Sequence, residues 1–446
     1  MGSILPPTNP PTYKTPWTPT PLIESTTLSP AAGCRIFLKL ENIQPSGSFK
    51  SRAMGNQILS HLLKPENYHR PVHFYASSGG NAGLAAVCAA RSLGYPCTVV
   101  VPVSTKPLMV QKLRNAGAAD VIQYGETFSE AGQYMKDVVM NKKDNNDAES
   151  DDDVVKIALH PFDNEPIWQG NSTIIDELVD QVPPPVGEEE EEVHAGRALP
   201  VDAIVCSVGG GGLLNGLVMG IERHRAKAKV ADDGAAKPVH LVAVETKGTD
   251  SLATALESNE LVSLPKITSQ ATSLGAIKVS ERTFQYAVKP PPGVKVHSAV
   301  FSDAEAARGV LRLVDDERLL VELACGVCVE AAVGGSSCAS SSSSSSSSKM
   351  VAAGQKRKRG MDVGYVSKDE GYGDDRLSAG ENEDDGPVPS LSLSASAGGM
   401  QSKLKELVPD LNADSRVVII VCGGSNVTID MAAEWRKMLA DGWASE

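Results

Sequence analysis

Apolar runs separated by polar, helix-patterned stretches recur along the chain, and they predict its framework. Residues 35–41 (RIFLKLE), 72–78 (VHFYASS), 97–103 (CTVVVPV), 201–208 (VDAIVCSV), 240–245 (HLVAVE) and 416–424 (RVVIIVCGG) read as strands. Most are apolar at successive positions and bounded by glycine, proline or charge, the pattern of strands covered on both faces. Helical stretches lie between them. In residues 81–94 (NAGLAAVCAARSLG) small and apolar side chains stop at Gly94, a residue suited to close a helix. This alternation predicts open α/β sheets that bind ligands at the carboxyl ends of their strands.

Two segments do not fit a packed domain. Residues 183–200 join a proline cluster to five successive glutamates, which repel one another and stay solvated. Residues 334–399 carry a serine run, the basic Lys356, Arg357, Lys358 and Arg359, and an acidic Gly/Ser-rich stretch. Their apolar content is too low to offset the entropy of ordering. Both are expected to be insertions in surface loops, because a clean buried strand follows the second. The basic tract reads either as a nuclear-import signal or as a solvated patch.

Composition narrows the function classes. The chain has 446 residues, 41% of them hydrophobic, which gives room for two or three domains with sizeable cores. A formal charge of -13 argues against nucleic acid as a partner. Eight cysteines without paired spacing point to free thiols in a reducing compartment. Pro6, Pro7, Pro10 and Pro11 occupy the place of an apolar signal segment, and no run of about 18 apolar residues suggests a membrane span. Pro6 also stands where a myristoylation signal needs Ser or Thr. The expectation is a cytoplasmic protein with no membrane partner.

Three loops carry the candidate chemistry. Lys50 sits in residues 45–53 (PSGSFKSRA), where a lysine beside a Gly-Ser turn is ordinarily a solvated surface residue. Gly209, Gly210, Gly211 and Gly212 follow one strand directly and precede a helix beginning near Leu213. Backbone amides can approach an anion there, and the helix N-terminus favours negative charge, so the loop is a phosphate cradle. It lacks the Gly-Lys-Ser/Thr ending of a nucleoside-triphosphate loop and the GxGxxG spacing of a dinucleotide site. Residues 77–83 (SSGGNAG) also join a strand to a helix and suit a carboxylate. A carboxylate loop, a phosphate loop and a lysine together suggest an amino-acid substrate and pyridoxal phosphate, which a lysine holds as a Schiff base.

These motifs, with HPFDNEPIWQG, LVSLPKITSQATSLGA, VDDERLLVELACG and VIIVCGGSNV in the same order, resemble the L-serine/L-threonine dehydratase family of fold type II pyridoxal-phosphate enzymes. The resemblance covers roughly residues 13–333 and 403–435. It implies two open, twisted, mostly parallel α/β sheets: a large cofactor domain over residues 1–43 and 166–446, and a small domain over 44–165. It implies that Lys50 holds the cofactor and later moves the α-proton, that Phe49 packs on the pyridine ring, and that Asn81 bonds the ring hydroxyl. Ser77, Ser78, Gly79 and Gly80 match the loop gripping the substrate carboxylate, and Gly209 to Gly212 with Leu213 match the phosphate loop. Cys422, followed by Gly423, stands where this subfamily places a thiol against the pyridine nitrogen. A monovalent cation, potassium among the candidates, is implied at Gly209, Glu245, Thr249, Ser251, Leu274 and Ala276. A homodimer is implied as well.

A thiol holds the ring nitrogen less protonated than an aspartate does, which suits β-elimination better than transamination. The implied reactions are L-serine to pyruvate and ammonia, and L-threonine to 2-oxobutanoate. Gly79 departs from the mammalian-type enzymes, which carry alanine, and implies a wider pocket. The alternative enzyme reading is serine racemase, although a serine is usual there in place of Cys422, or another β-eliminating or β-replacing fold type II enzyme. A protein that keeps the cofactor and has lost turnover is the reading from another class. Cys325 and Cys328 form a CxxC pair whose apolar setting reads as a packed helix start rather than a redox site, and the histidines do not cluster as zinc ligands.

Overall fold

Two sheets organise the chain in the computed structural model, which describes residues 9–142, 154–184, 199–228, 237–334 and 402–443. In chain order the strands are β1 (Leu22–Glu24), β2 (Arg35–Lys39), β3 (Val72–Ala76), β4 (Cys97–Val101), β5 (Asp120–Gln123), β6 (Val155–Ala158), β7 (Ala203–Ser207), β8 (Val239–Thr246), β9 (Val294–Phe301) and β10 (Arg416–Ile420). The larger sheet runs β1-β2-β10-β7-β8-β9 and the smaller β5-β4-β3-β6. Every pairing is parallel except β1 with β2. All strands of the smaller sheet fall within residues 44–165, and all those of the larger fall outside that range.

The six expected strands are all present, five with trimmed ends and β8 extended by one residue at each end, and their burial explains their legibility. All five residues of β4 and all five of β7 are buried, as helices on both faces require. The helix expected after residue 81 spans Asn81–Ser92, and Gly94 closes it at φ +84°, in the left-handed region. Helix Leu323–Val333 buries every residue, Cys325 and Cys328 included, so the CxxC pair is core. The seven described cysteines are free thiols. Residues 185–198 and 335–401 hold most of both expected insertions and the basic 356–359 tract, and they lie outside the described residues.

Candidate active site

Lys50 opens helix Lys50–Leu62, and the turn before it is stitched to the end of β10. Ser48 pairs with Gly423 in an antiparallel bridge. The Phe49 N–H donates to the Cys422 carbonyl at 3.1 Å, and the Gly424 N–H donates to the Gly47 carbonyl at 2.9 Å. Gly47 and Gly423 take φ of +77° and +83°, so the stitch needs glycine on both sides. It brings Lys50 and Cys422 to one place. Lys50 Nζ donates to the Pro161 carbonyl at 3.1 Å and stands 5.0 Å from the centre of the Phe49 ring. Desolvation dominates its titration, lowering the ammonium pKa to about 8 against a smaller opposing effect of Cys422. An amine of that pKa exchanges protons near neutrality.

The helix bearing Lys50 is anchored by buried charge. Arg52, with no exposed side-chain surface, forks onto Glu41 at 2.8 and 2.7 Å and onto Glu177 at 2.5 and 2.9 Å. Lys39 of β2 adds a bond to Glu177 at 2.5 Å. Two cations and two carboxylates thus join β2, the Lys50 helix and helix Glu165–Gln181. Gly170 permits the close approach, since a Cβ there would lie 2.2 Å from the Arg52 carbonyl oxygen.

The glycine loop lies between β7 and helix Gly212–Ala228. Its outer side is packed: a Cβ at Gly210 would fall 2.2 Å from the Phe162 ring, and one at Gly212 would fall 2.5 Å from the Phe162 carbonyl oxygen. Gly211 has φ +89° and faces Thr283. With no side chains the loop can present its amides, and the first amides of the helix, to an anion. Phe162, which backs the loop, and Pro161, which accepts from Lys50, come from the HPFDN stretch, whose sequence alone assigned them no role.

The Ser77–Gly80 loop connects β3 to helix Asn81–Ser92. Ser78 Oγ accepts from the Gly80 N–H at 3.3 Å. Asn81 is held from two sides: its Oδ1 accepts from the Ser425 N–H at 2.9 Å, and its Nδ2 donates to Glu322 at 3.0 Å. One Nδ2 hydrogen remains for a ligand. Glu322, 5% exposed, also accepts from the Asn426 N–H at 2.7 Å, which makes it the hub between this loop and the turn after Cys422. Sequence reading missed it, because its partner Asn81 is 241 positions away. The expected space beside Gly79 is already filled: a Cβ there would meet Thr105 Cγ2 at 2.8 Å and Val101 Cγ1 at 3.3 Å.

Cys422 is 5% exposed, and burial pushes its thiol up to about 11, so it is neutral at physiological pH. Its Sγ lies 3.5 Å from Ser207 Oγ. The six residues expected around a cation come from neighbouring segments. Glu245, fully buried at the end of β8, accepts from the Leu252 and Ala253 amides at 2.8 Å each, and burial raises its carboxyl to about 8. Ser251 Oγ is buried without a hydrogen-bond partner, and a Cβ at Gly209 would lie 3.0 Å from the Leu274 carbonyl oxygen. Thr249 Oγ1 is 2.7 Å from Thr246 Oγ1, and the Ala276 N–H donates to the Leu274 carbonyl at 2.7 Å. Among the described residues, no group of three or more His, Cys, Asp or Glu side chains is placed to hold a metal, and no helix is long and apolar enough to cross a membrane.

A parallel-sheet fold with a lysine, a glycine anion loop and a buried thiol at the strand ends defines an enzyme that works through an aldehyde cofactor. The chain belongs to the pyridoxal-phosphate dependent enzyme family, whose model matches residues 13–351. It is 40% identical over 299 residues to the catabolic L-serine/threonine dehydratase of Saccharomyces cerevisiae, covering 67% of this chain and 75% of that one. It is 38% identical over 312 residues to the L-serine dehydratase/L-threonine deaminase of Mus musculus, covering 70% and 81%. Among solved structures, the fungal L-serine ammonia-lyase of Rhizomucor miehei matches with a TM-score of 0.65 at 26% identity, over 95% of this chain and 99% of that one. The residues fit the cofactor: a cradle that side chains would fill, a desolvated lysine and a neutral thiol suit its phosphate, aldehyde and ring nitrogen.

Proposed function

We propose that this protein deaminates L-serine to pyruvate and ammonia, and L-threonine to 2-oxobutanoate, with Lys50 as its catalytic residue. The observation that carries this reading is the stitch between residues 47–49 and 422–424, which sets a desolvated lysine beside a neutral thiol. Pyridoxal phosphate, when bound, supplies the electron sink that makes the α-proton of the amino acid removable. Lys50 Nζ holds the cofactor at rest and, once freed, takes the proton from the α-carbon; its pKa of about 8 leaves part of it neutral for that task. Ser77, Ser78, Gly79, Gly80 and the start of helix Asn81–Ser92 bind the substrate carboxylate. The Gly209–Leu213 amides hold the phosphate, Asn81 orients the ring hydroxyl, and Phe49 covers the ring. Cys422 offers the ring nitrogen a weak hydrogen bond in place of a full proton, which favours prompt loss of the β-hydroxyl over transamination.

A monovalent cation at Gly209, Glu245, Thr249, Ser251, Leu274 and Ala276 belongs to this reading, supported by the unpartnered Ser251 hydroxyl. So do a homodimeric assembly and a cytoplasmic location, which light scattering and cell fractionation test. The decisive experiment is a steady-state assay of the purified protein with L-serine, L-threonine and D-serine, in potassium and in a bulky organic cation. Pyruvate from L-serine, faster in potassium, is the expected result; D-serine accumulating faster than pyruvate would replace this reading with racemisation.

Gly83 gives a sharper check of the carboxylate loop. A Cβ there would lie 1.8 Å from the Ser78 carbonyl oxygen, a backbone atom that cannot step aside without moving the loop. Gly83→Ala is expected to lower kcat/KM for L-serine on the order of 10²-fold, as a displacement of about 1 Å in a positioning element does. Steady-state kinetics beside a thermal melt will separate this from unfolding.

A further inference from the structure

Ser207 ends β7 one residue ahead of the glycine loop, is 7% exposed, and places its hydroxyl 3.5 Å from Cys422 Sγ. Two neighbouring thiols have backbone acceptors as well, and the Ser207 hydroxyl reaches Cys328 besides Cys422. Cys325 directs its S–H to the Ile420 carbonyl and Cys328 to the Ala324 carbonyl, each at 4.0 Å. A carbonyl only accepts, so those two protons are committed to the backbone. Cys422 faces a hydroxyl, which donates as readily as it accepts. The direction of this one hydrogen bond decides where the Cys422 proton points.

If Cys422 gave its proton to Ser207, no S–H would remain for a ring nitrogen. With Ser207 donating to Sγ, the thiol proton is free to point into the site. We propose that Ser207 is a positioning residue which donates its O–H to Cys422 Sγ and thereby directs the Cys422 S–H at the pyridine nitrogen. No covalent bond changes in this arrangement, only the order of two hydrogen bonds. Both groups are buried, and in such surroundings an oriented hydrogen bond is not averaged away by water. The inference rests on the cofactor reading above and deepens it.

A double-mutant cycle tests it. Ser207→Ala, Cys422→Ala and the double variant are loaded with pyridoxal phosphate, and the cofactor's absorption maximum is recorded with kcat and KM for L-serine. Borohydride labelling of Lys50 in the unaltered protein confirms beforehand that the cofactor reading holds, so failure of that reading is visible separately. Ser207→Ala is expected to shift the absorption maximum and lower kcat about tenfold with KM changed less than threefold. In the Cys422→Ala background the same substitution should change neither, because the group it acts through is gone. Equal effects in both backgrounds, or an unmoved absorption maximum in Ser207→Ala, would overturn the assignment. Ser207→Cys serves as the second variant should Ser207→Ala melt early: its weaker donor should give an intermediate spectral shift that likewise vanishes without Cys422, and a shift that persists there would overturn the proposal.

Discussion

Lys50→Ala is expected to abolish pyruvate formation from L-serine, by about 10³-fold or more, while the protein keeps its fold. With Lys50 in its proposed role, the size follows from removing both the cofactor's covalent anchor and the base that moves the α-proton, since a positioned acid–base group alone contributes roughly 10²–10⁴-fold. Lys50 is half-buried and bonded to one backbone carbonyl, so its truncation leaves no charged partner stranded. The same residue gives a pH prediction with a definite sign. Burial lowers its pKa to about 8, so below that pH the amine is protonated and cannot attack an aldehyde. Capture of pyridoxal phosphate by the cofactor-free protein should therefore speed up from pH 6 to 8 and level off above. A rate that keeps climbing to about pH 10, where an unperturbed lysine titrates, would show that the pocket does not desolvate the ammonium. Stopped-flow absorbance with borohydride trapping at each pH makes the measurement.

Arg52→Leu should produce the largest loss of stability. The guanidinium is fully buried between Glu41, also fully buried, and Glu177. Replacing it leaves two carboxylates sharing the remaining donors of Lys39, Thr20 and Gln44, none of which reproduces the double fork. Breaking a buried pair by deleting one partner costs about 3–5 kcal/mol, because the surviving charge stays desolvated. Urea unfolding of the cofactor-free protein should lose this amount. Arg52→Lys keeps the charge and loses the planar fork, so its loss should be smaller. Equal stability of Arg52→Leu and the unaltered protein would mean that the network orders the Lys50 helix without stabilising the fold.

What the sequence made legible follows from burial geometry. Strands such as β4 and β7 are covered on both faces and wrote themselves as unbroken apolar runs. β9 is a sheet edge in which only Val294 and Ala299 are buried, and its Lys295, His297 and Ser298 dilute the pattern. β5 and β6 have four residues each and mix polar with apolar positions. β1, with three residues, is too short to leave a period. At the candidate site, glycine loops were readable because the anion binding proposed for them needs consecutive residues. Ser207, Glu322 and Arg52 were not. Each acts through partners distant in the chain, 215 positions for Ser207 with Cys422 and 125 for Arg52 with Glu177, and a lone Ser, Glu or Arg carries no local pattern. The buried Arg52 and Lys39 also run against the usual surface placement of charge.

The strand order has a consequence for how the protein is made. β10, last in chain order among the described strands, lies between β2 and β7 in the middle of the larger sheet. A nascent chain on the ribosome can close the smaller sheet once β6 has emerged, since all four of its strands lie between Val72 and Ala158. The larger sheet must wait with the apolar edges of β2 and β7 open, which is the period of greatest exposure to aggregation. A chain terminated before Arg416 would lack both the wedge that joins those edges and the turn that meets Lys50. Completion of the larger sheet and assembly of the proposed site around Lys50 are thus a single late event, and a chain terminated before Arg416 is expected to be inactive.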